Sequence, residues 1–311
     1  DMPWTFSQKW SVVDRYASAG FTALTLSLAN EETTTERALD YLASVRKYIF
    51  SHPEKYVLAK TKEDILYAKK ANKLALRLSF QGTGPIGKNL DLVEAFYSLG
   101  ITSLILAYNI RSPMGDGVIE ENDSGLSHLG KKLIAEMNHH GITIDGAHVG
   151  FKTSMEAMKL TTQPFIFSHA GAYGVMPHIR NVQDAQIKAA AKTGGVIGIS
   201  GIGTLLGDPN ASVEKYVAHI NYVSQLVGTE HAALGLDNLY FPEQFAEFME
   251  RQRVTHPMAY SNKVSEAITD NCLQPEDILL IIEALLQHDY SEAEIKNILG
   301  ENILRLCKSQ Q

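Results

Sequence analysis

Hydrophobic positions along the chain fall into two patterns that take turns. Near-continuous apolar, β-rich runs occupy 21–29 (FTALTLSLA), 74–80 (LALRLSF), 103–108 (SLILAY), 142–145 (ITID), 164–169 (PFIFSH), 195–200 (GVIGIS) and 232–237 (AALGLD). A strand buried on both faces needs such a run, without polar alternation. Between them lie helical patterns: TTERALDYLASVRKYIF, LDLVEAFYSLG, LSHLGKKLIAEMNHHG, FKTSMEAMKL, DAQIKAAAKTGG and SVEKYVAHINYVSQLVG. Gly100, Gly141, Gly194 and Gly228 close four of these, where a left-handed residue is expected.

Strand–helix alternation predicts an α/β fold, a parallel sheet covered by helices. Seven strands point to a (β/α)8 TIM barrel with one strand to be placed. YVLAKT (56–61) is one candidate for the eighth; a strand ahead of Asp1 is the other. Beyond 238 the pattern turns helical, in SNKVSEAITDNC, PEDILLIIEALLQH and SEAEIKNILGENILRLC, so extra C-terminal helices are predicted. Ser291 and Glu294 have capping-box spacing. No repeat, linker or low-complexity stretch divides the chain. Residues 1–311 therefore read as a single barrel domain, its first strand truncated if that strand precedes Asp1.

Composition narrows the function classes. A net charge of −7 without a basic face disfavours nucleic acid and anionic membrane surfaces. Cys272 and Cys307 form neither a disulfide framework nor a metal knuckle. There is no apolar run near 20 residues, hence no membrane span. The opening DMPWTFSQKW has neither an initiator Met nor a signal h-region, which leaves the compartment open, with the cytoplasm the default.

Catalytic groups of a parallel barrel gather at the C-terminal strand ends. Those ends carry Gln81, Tyr108, Asp145 with His148, His169, Ser200 and Asp237, and the segment after His169 adds His178 and Arg180. Imidazoles from neighbouring strands can hold a zinc-like cation, which lowers the pKa of bound water towards 7. Asp237 could then shuttle the proton and Arg180 grip a substrate carboxylate. Blander roles stay open. A strand-end histidine can be a hydrogen-bonded structural residue, Arg180 a surface residue and Asp237 a helix cap. His139 and His140 suit the negative end of a helix dipole. The run GGVIGISGIG (194–203) lacks the GK[ST] of a P-loop; it reads as a tight strand exit, with a phosphate site as the alternative.

At these residues the sequence resembles the renal-type (membrane) dipeptidases, peptidase family M19. IDGAHVGFKTSMEAM followed by QPFIFSHAGAYGVMPHIRN is similar to that family's D-x-S-H-V, P-V-I-x-S-H-S and H-x-R-N elements. LGLDNLYF and LGENILRL continue the likeness, which covers essentially the whole chain. The resemblance implies a metal-dependent hydrolase, normally dinuclear in zinc, that acts on a dipeptide or small carboxylate-bearing amide. It implies His148 and His169 as ligands of one ion, Arg180 as the carboxylate binder, Asp237 as the acid near the catalytic water, and a homodimer as the assembly to test. Three departures stand out. DMPW begins at the Asp of the family's H-x-D motif, so Asp1 matches one ligand of the other ion while its histidine would precede the chain. Gln81 stands where the family has a bridging Glu, and Tyr108 where it commonly has a substrate-contacting His. One zinc ion, with a second if the upstream histidine exists, and substrate contacts from Arg180, Tyr108 and Gln81 are the resulting expectations. The alternative is a non-catalytic barrel that binds a small molecule.

Overall fold

The computed structural model describes residues 2–4, 8–238, 242–255 and 271–309. Its strands are β1 (Ala23–Ser27), β2 (Tyr56–Leu58), β3 (Leu74–Phe80), β4 (Ile101–Ile105), β5 (Thr143–Asp145), β6 (Phe165–Ala170), β7 (Ile197–Ile199) and β8 (Ala232–Leu234). They pair in parallel in the order β1-β3-β4-β5-β6-β7-β8, with β2 beside β3. Parallel neighbours need crossovers, and helices supply them. Helix α1 (Trp10–Ser18) precedes β1, and the crossovers are α2 (Thr35–Ser51), α3 (Lys62–Lys70), α4 (Leu92–Leu99), α5 (His128–His140), α6 (Phe151–Leu160), α7 (Asp184–Lys192) and α8 (Val213–Val227). Helices α9 (Pro242–Thr255), α10 (Ile278–Gln287), α11 (Glu292–Lys296) and α12 (Asn302–Leu306) follow the last strand.

Each helix forms for a local reason. In α2, Ala38, Leu42, Val45 and Ile49 recur at helical spacing and are buried, while the Thr34 hydroxyl accepts from the Arg37 N–H as the N-cap. Full burial of each larger aliphatic contributes roughly 1.5–3 kcal/mol. Helix α4 stops at Gly100, whose φ of 114° is open to glycine and strained for other residues. The predicted capping box of Ser291 and Glu294 starts α11.

Two expectations need correction. YVLAKT yields only β2, which pairs with Leu74–Leu76 at the start of β3, while β4 pairs with Leu78–Phe80 at its end. It extends the edge that β4 uses and is not a further stave of the ring. Strand β4 runs 101–105 instead of 103–108, because the chain leaves the sheet before Tyr108 to reach a left-handed turn at Asn109. The predicted helix SNKVSEAITDNC lies largely outside the described residues.

Among the described residues β1 and β8 do not pair with each other. Met2 lies along the outer edge of β1, donating its N–H to the Thr25 carbonyl and accepting from the Ser27 N–H. A cavity of about 570 Å³ opens beside that seam, lined in part by Thr25, Arg77, Leu234 and Ile278.

Gly195 and Gly198 of GGVIGISGIG pack against the protein's own backbone. A Cβ at Gly198 would sit 2.1 Å from the Ser168 carbonyl oxygen, and one at Gly195 would sit 1.7 Å from that of Phe165. Close approach of β6 and β7 accounts for these glycines, which leaves the phosphate-site reading without support.

Candidate active site

The C-terminal ends of β4, β5, β6 and β8 bring Asn109, His148, His169 and Asp237 together. Three of them, Asn109, His148 and Asp237, have φ of 62°, 66° and 52°. Left-handed backbone is strained for residues other than glycine, and such residues concentrate at functional sites.

His148 is buried. Its Nδ1 lies 2.6 Å from Asn109 Oδ1, an atom that can only accept, so Nδ1 carries the ring proton and Nε2 keeps its lone pair. Arg180 Nη2 donates to that Nε2 from 2.9 Å, which agrees with the same tautomer. The Tyr108 ring lies flat on the imidazole, with centroids 4.0 Å apart. Burial, with Arg180 and His169 close by, holds His148 well below the ordinary imidazole value.

His169 is fully buried at the end of β6. Its Nε2 lies 2.9 Å from that of His148 and 3.9 Å from Asp237 Oδ2, while Ser168 Oγ meets its Nδ1 at 2.8 Å. Burial lowers its pKa, and the Asp237 carboxylate partly opposes that. Both rings are therefore neutral at pH 7, the state in which imidazole binds a metal.

Asp145 orients this corner: its Oδ1 accepts from the Ala147 and Ser168 N–H groups, each at 3.0 Å. Ser200 is buried, and its hydroxyl receives the Ile202 N–H. His178 accepts the Arg180 N–H on Nδ1, and its burial takes it down to about 4. Gln81 is buried at the end of β3, its N–H on the Ala29 carbonyl. Asp1 lies outside the described residues.

Three contributors escaped the sequence reading: Asn109, Ser168 and Glu31. Glu31 follows β1 and accepts from the N–H and hydroxyl of Thr83 and from the Tyr108 N–H. Its carboxylate thus ties three strand ends together, and desolvation raises its pKa. Asn109 had one signal in the sequence, since Asn directly after a strand is the commonest non-glycine residue in left-handed backbone.

The donor chemistry fits the histidine half of a metal site. Two metal–nitrogen bonds of about 2.0–2.1 Å in a tetrahedron place the nitrogens roughly 3.3 Å apart, close to the separation found here. Asn109 and Ser168 supply the outer hydrogen bonds that orient such ligands. Arg180 opposes a cation, because its guanidinium occupies the His148 lone pair and must turn aside for a metal to bind there. Among the described residues no group of three or more His, Cys, Asp or Glu side chains has the geometry to hold an ion.

Beside His148 and Arg180 lies a pocket of about 370 Å³, walled by the segments after β4, β5 and β6. Among the described residues no helix is long and apolar enough to cross a membrane.

Comparison with known proteins gives a consistent picture. A family model described as membrane dipeptidase (peptidase family M19) matches residues 13–274. Dipeptidase tcpJ of Claviceps purpurea is 27% identical over 261 residues, 83% of this chain and 56% of that relative. An uncharacterized dipeptidase of Schizosaccharomyces pombe is 25% identical over 287 residues, 90% of this chain and 64% of that one. The chain thus spans less than two thirds of the length of these two relatives. Among solved structures, an amidohydrolase from Pseudomonas aeruginosa superposes with a TM-score of 0.85 at 24% identity, covering 96% of this chain and 91% of its own. A metallo peptidase from Rhodobacter sphaeroides, solved with a phosphinate mimic of the dipeptide L-Ala-D-Ala, gives 0.79 at 18% identity, with 94% and 88% covered. Both support the barrel-type fold.

Proposed function

The chain belongs to the membrane dipeptidase family, peptidase family M19, and from that premise we propose that it hydrolyses the amide bond of a dipeptide or small carboxylate-bearing amide with a bound metal ion. The observation that carries the reading is the convergence of the His148 and His169 Nε2 atoms at 2.9 Å, beside Asp237 and Arg180, at the C-terminal ends of the strands.

A zinc-like ion held by His148 and His169, with Asp1 serving a second ion where an upstream histidine exists, would supply water of lowered pKa and a Lewis acid for the scissile carbonyl. The chain's own residues do the rest. Asn109 and Ser168 hold the two rings so that their Nε2 atoms face one another. Asp237, buried beside His169, takes the proton of the attacking water and returns it to the leaving amine. Arg180, once off His148, provides a fixed positive charge for the substrate carboxylate. Tyr108 braces His148 and closes one wall of the site. Gln81 brings no charge to bridge two cations, so we assign one ion and give Gln81 a hydrogen bond to water or substrate.

The test is a dipeptide panel assayed with zinc-incubated protein, before and after chelation, alongside Arg180→Ala. Loss of a charge-assisted contact worth about 1.5–3 kcal/mol lowers kcat/KM by roughly 10- to 150-fold. A metal-loaded Arg180→Ala variant as active as the parent contradicts the carboxylate clamp. A parent that cleaves no member of the panel contradicts the hydrolase reading and leaves the ligand-binding barrel.

A further inference from the structure

Three large apolar side chains stand exposed around one opening. Phe151 is 41% exposed, Tyr173 42% and Ile179 48%, and all three line the 370 Å³ pocket that His148 and Arg180 also bound. Val149 and Pro177 continue the same wall. Apolar groups gathered at a concave opening, rather than scattered over a surface, mark a place where a ligand covers them.

The charges around the pocket are already assigned. Asp123 accepts from the N–H groups of Gly125, Lys152 and Thr153 and from the Thr153 hydroxyl. Glu120 accepts the Arg111 N–H at 2.7 Å, and its other oxygen faces Arg111 Nη2 at 3.9 Å. These two carboxylates repel an acidic side chain and are committed to protein donors rather than to a cationic one. Arg180 supplies positive charge at the mouth.

We propose that this pocket selects an apolar side chain on the carboxylate-bearing residue of the substrate, and that Tyr173 and Ile179 set the preference. The proposal rests on the hydrolase reading for what the substrate is, while its geometry rests on the pocket alone. A pocket of about 370 Å³ lies in the size range of small-molecule sites and offers more room than a glycine or alanine end group fills. Placing a Leu-sized side chain there removes apolar surface from water on both partners.

The experiment is calorimetric titration of the metal-free protein with N-acetylglycine, N-acetylleucine and N-acetylaspartate, which needs no turnover. N-acetylleucine binds at least about tenfold more tightly than N-acetylglycine, as burial of a large part of one aliphatic side chain requires. N-acetylaspartate binds more weakly than either. Ile179→Asp brings the leucine-to-glycine ratio to about one, whereas Ile179→Leu retains it. The position is half exposed, so both variants fold, and circular dichroism checks this. A parent ratio within twofold of one, no detectable binding of N-acetylleucine at millimolar concentration, or an unchanged ratio in Ile179→Asp overturns the proposal. Absence of dipeptide hydrolysis would remove the hydrolase reading and leave this preference intact. Equal kcat/KM for Gly-Leu and Gly-Gly would remove the preference and leave the hydrolase.

Discussion

Replacing Asn109 separates two jobs that one side chain performs. Its Oδ1 accepts the His148 Nδ1 proton at 2.6 Å, and its backbone sits at φ 62°. Asn109→Gly keeps the backbone comfortable and removes the acceptor; Asn109→Ala removes the acceptor and adds strain of about 1–2 kcal/mol. Without the acceptor, a buried N–H goes unsatisfied at a cost of about 1–3 kcal/mol. The ring can escape only by moving its proton to Nε2. There the proton meets the Arg180 donor, 2.9 Å from Nε2, and lies between the two Nε2 atoms, 2.9 Å apart, and the lone pair that His148 would give a metal is lost. Either route weakens a metal bound at this pair, by the 10- to 100-fold typical of a missing outer partner. Nitrogen-15 NMR of the labelled His148 ring reads the tautomer, and zinc titration against a chromophoric chelator reads the affinity. The parent shows the proton on Nδ1; both variants bind zinc 10- to 100-fold more weakly, and Asn109→Ala melts below Asn109→Gly. An Asn109→Gly variant that binds zinc as tightly as the parent refutes the reasoning.

Two further outcomes concern stability. His219 is fully buried, accepts the Ala172 N–H on Nδ1, and is pushed down to about 4 by burial. Its folded value lies below the ordinary 6.5, so the unfolded chain takes up the proton first as pH falls. The stability from keeping this ring neutral is complete above about pH 6.5 and is lost as pH drops towards 4, up to about 3 kcal/mol at about 1.4 kcal/mol per unit. Denaturant unfolding at pH 7.5 and 4.5 shows this loss in the parent and a smaller one in His219→Gln; identical pH dependence in both contradicts it. Gly198→Ala forces a Cβ onto the Ser168 carbonyl, so β6 and β7 must part, at about 1–3 kcal/mol or more. Its Tm falls by several degrees, and a Tm equal to the parent's would show that the sheet yields there freely.

The strand–helix rhythm was legible because each strand is apolar over its whole length and each long helix carries its own stop. The positive φ at Gly100, Gly141, Gly194 and Gly228 follows from that. His148 and His169 were legible because both end apolar runs. What holds them was not. Asn109 and His148 are 39 residues apart, so their bond depends on where β4 leaves the sheet, and a two-residue shift of that strand is invisible to hydrophobic pattern. Glu31 reaches Thr83 across 52 residues and sits in a polar loop, LANEETTT, where nothing distinguishes it from its neighbours. The apolar rim joins Phe151, the first residue of α6, to Tyr173 and Ile179 of the loop after β6, and hydrophobic periodicity does not link these places.

The claim that organises all of this is that His148 and His169 together hold a metal ion. Elemental analysis of zinc in purified parent and in the His148→Ala/His169→Ala double variant, each after incubation with excess zinc and desalting, tests it directly. The parent retains about one zinc per chain and the double variant none. A parent that retains no zinc, or a double variant that retains as much as the parent, contradicts it.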